Sequence, residues 1–197
     1  LGQRTGVTLR SLYRFDLGQL SSTQVLLHSV EAVYYVLNGH AEFNSASGGV
    51  TVPEGGMVHV DSGNTYTISS VSGATVLGGP APVDPEFGAH TEHNVGDLTQ
   101  GLGVRIFHRD EPGLMVPFIS QDARLVVWYG AAARTANMNY VVLEPGERNT
   151  EHVHAYSEDT IYIVEGRGTA EDVTNNAKYE IGPGDVVTIP PGVWHAV

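Results

Sequence analysis

Short runs of apolar residues, alternating with polar ones and broken by glycine or proline, recur along the whole chain. Val7-Thr-Leu-Arg-Ser-Leu-Tyr13 and Thr23-Gln-Val-Leu-Leu27 place β-branched and bulky residues at strand spacing. Val33-Tyr-Tyr-Val-Leu37 leads into Asn38-Gly39, a turn signal, and His40-Ala-Glu-Phe43 follows as the expected return strand of a hairpin. The same texture returns in Ala123-Arg-Leu-Val-Val-Trp-Tyr129 and Met138-Asn-Tyr-Val-Val-Leu143.

Twenty-four glycines and ten prolines, spread through 197 residues, fit many short strands joined by tight turns, an all-β composition. With 41% apolar and 16% charged residues, the chain can bury the core of one large or two small domains. A net charge of −12 supplies no basic patch for nucleic acid or for an anionic membrane surface. No apolar run approaches a membrane span and Leu1-Gly-Gln-Arg4 lacks a signal-peptide pattern, so a cytoplasmic location is expected. The absence of cysteine removes disulfides and thiolate metal sites.

The chemistry gathers between Gly146 and His195. His152 and His154 are two residues apart, so an extended strand turns both imidazoles to one face, and Glu158 falls on that face as well. Pro190-Pro191-Gly192 sets the chain direction before His195, which can bring a third imidazole from a neighbouring strand. Three nitrogen donors and one oxygen donor suit a divalent transition metal: iron(II) or manganese(II) first, with nickel or zinc also compatible.

These residues resemble the cupin superfamily. Its first motif matches Gly146, His152, His154 and Gly166, and its second matches Gly184, Pro190, Gly192 and His195. The resemblance implies a jelly-roll (double-stranded β-helix) barrel with the metal inside. Spacing after His154 selects Glu158 as the acidic ligand by strand parity; Asp159, which satisfies the spacing to Gly166, is the alternate and needs a bulge. Arg148, in the loop before His152, is a candidate to hold a substrate carboxylate, and Tyr162 a candidate to line the pocket.

The pattern also occurs twice. Gly39 aligns with Gly166 at an offset of 127, and the segment ending in Tyr66 aligns with the one ending in His195 at an offset of 129, which points to a duplicated barrel. The expected organisation is a first barrel over residues 1–82, a connection over 83–121 and a second barrel over 122–197, two tandem cupin barrels in all. Val25 and Leu27 then stand at His152 and His154, Glu31 at Glu158 and Tyr66 at His195, leaving the first copy a structural half without a metal. His40, His59 and His108 have no partner at ligand spacing and read as surface or satisfied strand residues, and His90-Thr-Glu-His93 as a solvated loop. The second copy is expected to lack a final hairpin, and the chain to be part of a longer one.

The resemblance implies a metal-dependent enzyme, foremost a dioxygenase-type oxidoreductase acting on a small oxygenated or aromatic organic acid. A lyase, decarboxylase or isomerase using the metal as Lewis acid, and a non-catalytic binding bicupin, are the alternatives. A small-molecule substrate and a homo-oligomer are the expected partners, with neither nucleic acid nor membrane.

Overall fold

The computed structural model describes residues 12–81, 104–110, 114–115, 122–127, 133 and 136–197. Val7 to Ser11, His90 and His93 lie outside the described residues. Seventeen strands follow in order: β1 Tyr13–Leu17, β2 Ser21–Ser22, β3 Leu26–Leu27, β4 Ala32–Ser45, β5 Gly48–Pro53, β6 Gly56–Val60, β7 Thr65–Ser70 and β8 Ala74–Pro80 form the first set. The second set is β9 Val104–His108, β10 Leu114–Met115, β11 Asp122–Val127, β12 Met138–Val142, β13 Asp159–Tyr162, β14 Gly168–Asp172, β15 Ala177–Ile181, β16 Val186–Ile189 and β17 His195–Ala196. No helix occurs among the described residues, and none is long and apolar enough to cross a membrane. The all-β expectation is borne out.

β4 organises the first barrel because it belongs to two layers. Its first part pairs with β6 and β8, and its second part with β5 and β7. The expected hairpin at Asn38-Gly39 is absent; the chain bends there and continues as one strand. Gly39 takes φ 76° beside a register shift between Val36 and Asn38, a bulge that re-aims the strand from one layer to the other. A side chain at Gly39 would collide with the Gly73 carbonyl.

Alternation along the strands sorts residues to two faces. Tyr34, Val36, Phe43, Val58, Tyr66 and Ile68 point inward and form the first barrel's core, each at most 2% exposed. Burying each such side chain contributes about 1.5–3 kcal/mol. The Tyr34 and Tyr66 hydroxyls hydrogen-bond to each other inside this core, so neither is left unsatisfied. Burial pushes the Tyr66 phenol up to about 12 and Tyr34 higher still.

Val33, Tyr35 and Met57 lie on the opposite face and pack with Val127, Ala133, Ala136, Met138 and Tyr140. This second cluster joins the first barrel to the start of the second. β9, within the expected connection, extends the first barrel's sheet by pairing with β6, and β10 pairs with β11.

The duplication extends to single backbone hydrogen bonds. Gly63 N donates to His28 O as Gly192 N donates to His154 O, each at 2.8 Å. Ile68 N donates to the Thr23 hydroxyl at 3.0 Å, as Val197 N donates to Asn149 Oδ1 at 2.8 Å. Gly55 N and Gly184 N cap Val36 O and Ile163 O in the same way, both at 2.9 Å. Leu26 pairs with Tyr66 where His152 bridges His195. The first copy therefore aligns one residue later than the sequence suggested: Leu26 and His28, not Val25 and Leu27, stand at His152 and His154. The loop between the metal-type residues and the following strand is one residue shorter in the first copy, which spacing from the glycines alone could not place.

Candidate metal centre

His152 and His195 face each other across an isolated antiparallel bridge, exchanging His152 N to His195 O at 3.1 Å and His195 N to His152 O at 2.9 Å. His154 follows two residues on, and Gly192, at φ 81°, closes the turn that returns the chain to His195. Ring centroids are 4.2 Å apart for His152 and His195, 5.2 Å for His152 and His154, and 5.6 Å for His154 and His195. One ring nitrogen from each lies within 4.8 Å of the other two. Donors about 2.1 Å from a shared ion stand within that range of each other.

The protonation pattern fits a metal. His152 Nδ1–H donates to Thr150 O at 2.8 Å and His195 Nδ1–H donates to Val193 O at 2.9 Å. A carbonyl only accepts, so in the neutral rings the proton sits on Nδ1 and the lone pair on Nε2. His195 is 2% exposed, and its Nε2 is buried with no hydrogen-bond partner. That orphaned lone pair beside two further imidazoles is what a cation would satisfy. Burial lowers the His195 pKa from the ordinary imidazole value; His152 and His154 push the same way, while the Val193 carbonyl and Asp159 oppose.

The two candidate carboxylates part company. Asp159 opens β13 and pairs with Ile189, the register that Ala32 holds opposite Val60 in the first barrel. Ala32 belongs to the interior core, and the charge of Asp159 is felt at His195. Glu158 is 3% exposed and takes the place of Glu31, whose side chain belongs to the opposite face. Neither carboxylate falls within the group that the three imidazoles form.

Arg148 is held at the surface, donating to Glu151 at 2.9 Å and Glu171 at 2.8 Å. Lys178 reaches the other oxygen of Glu171 at 2.8 Å, and together these cations, Arg148 first, hold the Glu171 carboxyl down at about 2. Tyr162 is half-buried on the face of β13 opposite Asp159 and Ile161.

A second group was not anticipated as a unit. Glu31, His59 and Asp61 bring ligand-type atoms within 4.8 Å of one another on the outer face of the first barrel. His59 is fully buried, its Nε2 lies 3.0 Å from Glu31 Oε1, and Glu31 Oε2 accepts from Ala136 N at 2.8 Å. The sequence placed His59 at the surface or in a satisfied strand. Register explains the pairing: His59 lies opposite Val33, two residues from Glu31 on one face.

A duplicated jelly-roll barrel with converging imidazoles in its second copy defines the protein as a member of the cupin superfamily. Residues 139–197 match the Cupin domain family. The chain is 28% identical over 88 residues to an uncharacterised protein of Methanocaldococcus jannaschii, covering 41% of this chain and 66% of that one. Among solved structures, the Ylba protein from E. coli superimposes with a TM-score of 0.67 at 15% identity, covering 94% of this chain and 70% of that one. Bacillus subtilis oxalate decarboxylase, described with Mn(II) centres, superimposes with a TM-score of 0.64 at 14% identity, covering 95% of this chain and 65% of that one. These likenesses establish the bicupin fold.

Proposed function

We propose that the second barrel holds a divalent transition metal on His152, His154, His195 and Asp159, and that the chain is a metal-dependent enzyme acting on a small organic acid by decarboxylation or related carbon–carbon cleavage without net redox change. The observation that carries the metal assignment is the buried Nε2 of His195, facing two imidazoles while its Nδ1 proton is committed to Val193 O. Asp159 enters as the fourth ligand because it shares the inward register of Ala32. A metal bound there supplies a Lewis acid that draws charge from a coordinated carboxylate or carbonyl oxygen. The chain's own part is to orient the imidazoles through the Thr150 and Val193 carbonyls and to keep them neutral by burial.

Decarboxylation is preferred to the dioxygenase chemistry first expected because the manganese-containing oxalate decarboxylase shares the fold over nearly all of this chain. A dioxygenase is the second reading, since four protein ligands leave positions open on a six-coordinate ion for substrate and dioxygen.

Elemental analysis of the purified chain, followed by parallel measurement of carbon dioxide release and oxygen uptake over a panel of small carboxylic and keto acids, tests both. Release without uptake supports the first reading. Uptake coupled to turnover replaces it with the second, and a metal-free protein without turnover overturns both.

A further inference from the structure

The two barrels share a backbone register but not an interior. In the first, three rings run in a row from the place of His195: Tyr66, then Tyr34 at 6.0 Å between centroids, then Phe43 at 5.4 Å. The register carries Tyr66 onto His195, since Tyr66 pairs with Ser45 as His195 pairs with Asp172. It carries Tyr34 onto Ile161, Phe43 onto Ala170 and Ala41 onto Gly168. Two aromatic rings and a methyl group are thus replaced by a sec-butyl group, a methyl group and a hydrogen.

The space those rings would occupy is open. A methyl group built on Gly168 would meet no heavy atom within 4 Å, whereas Ala41 is fully buried. Tyr34, Val36 and Val58 are 0% exposed, while their counterparts Ile161, Ile163 and Val187 are partly accessible. Part of this access comes from β13, whose described strand neighbour is β16 alone, while β4 lies between β6 and β8.

We infer that the second barrel carries a substrate chamber in the position of the Tyr34 and Phe43 rings, that it takes a monocarboxylate bearing a compact aromatic or branched apolar group, and that Ala170 sets its depth. The inference rests on the metal-centre reading. The acid end meets the cation beside His195, and the apolar end lies over Ile161, Val187 and Ala170, where burying a ring removes apolar surface from water. Ala170 is one same-face step, about 7 Å, from Asp172, the residue paired with His195. The substrate body therefore extends away from the metal along β14. A diacid such as oxalate would leave this apolar floor unused.

The test is calorimetric titration of the manganese(II)-loaded chain with benzoate and with acetate. Benzoate is expected to bind about tenfold or more tightly than acetate. Ala170→Phe, which restores the ring of the first barrel, should abolish that advantage while leaving bound manganese and acetate affinity unchanged. Ala170→Leu, a smaller intrusion, carries the same test if circular dichroism shows the Phe variant misfolded. Equal affinities for the two acids in the manganese-loaded parent, or an undiminished benzoate advantage in the variants, overturns the chamber and leaves the metal centre standing. A parent chain that takes up no manganese(II) overturns the metal reading and this inference together.

Discussion

Tyr66 and His195 occupy one position in two copies of the same barrel. Each pairs with the last residue of an equivalent strand segment, Ser45 or Asp172, and each faces a residue on the preceding loop, Leu26 or His152. In the first copy the residue there hydrogen-bonds to a second tyrosine inside an apolar core; in the second it points a lone pair at two histidines. One backbone thus supports a packed interior and a binding site.

Asp159 and Glu158 are adjacent, yet the inward register belongs to Asp159. Asp159→Asn is expected to weaken manganese binding about tenfold or more, and Glu158→Gln to leave it within about threefold. Equilibrium dialysis with metal analysis decides this, and a larger loss from Glu158→Gln would reverse the assignment.

The Tyr34–Tyr66 hydrogen bond is enclosed by apolar side chains, so removing one hydroxyl strands the other. Tyr34→Phe or Tyr66→Phe should each cost about 1–3 kcal/mol, and the double variant less than the sum of the two. Urea unfolding of the four proteins measures the coupling; simple additivity would mean that the hydroxyls do not depend on each other.

His59 and Glu31 are both buried at the junction between the first barrel and the segment through Ala136. His59→Ala removes one partner of this pair, with an expected cost of about 3–5 kcal/mol. A thermal unfolding midpoint within a degree or two of the parent's would show that the pair does not hold the junction.

Glu171 has its pKa lowered to about 2 by Arg148 and Lys178, from an ordinary carboxyl value of 4.5. The folded state therefore binds this proton less readily than the unfolded one. The contribution of Glu171 to stability is fully present above pH 4.5 and is lost as pH falls towards 2. Glu171→Gln should accordingly lie below the parent in stability at neutral pH and converge with it in acid. Because the group is solvent-exposed the gap will be small, and parallel curves from pH 6 to 2 would contradict the assignment.

Arg148 also bears on how far a sequence reading reaches. Its place before His152 suggested a grip on substrate, but residue order carries no information about Glu171, which β14 brings to within 2.8 Å of its guanidinium. The expected hairpin at Gly39 went astray for a similar reason. Asn-Gly marks a positive-φ position, and a bulge inside a strand shared by two layers needs that backbone conformation as much as a turn does.

The sequence by itself determined the strand-rich class, the duplication and the three histidines, because alternation, glycine placement and His-x-His spacing are local properties that the backbone expresses directly. It could not decide between neighbouring carboxylates, or between Val25 and Leu26 as the counterpart of His152, because a one-residue shift in a loop turns every following side chain to the other face. Only the tertiary structure decided those, through the pairing of β13 with β16 and of Leu26 with Tyr66. It alone also showed what fills each barrel, since interior volume depends on side chains that meet from strands far apart in the chain.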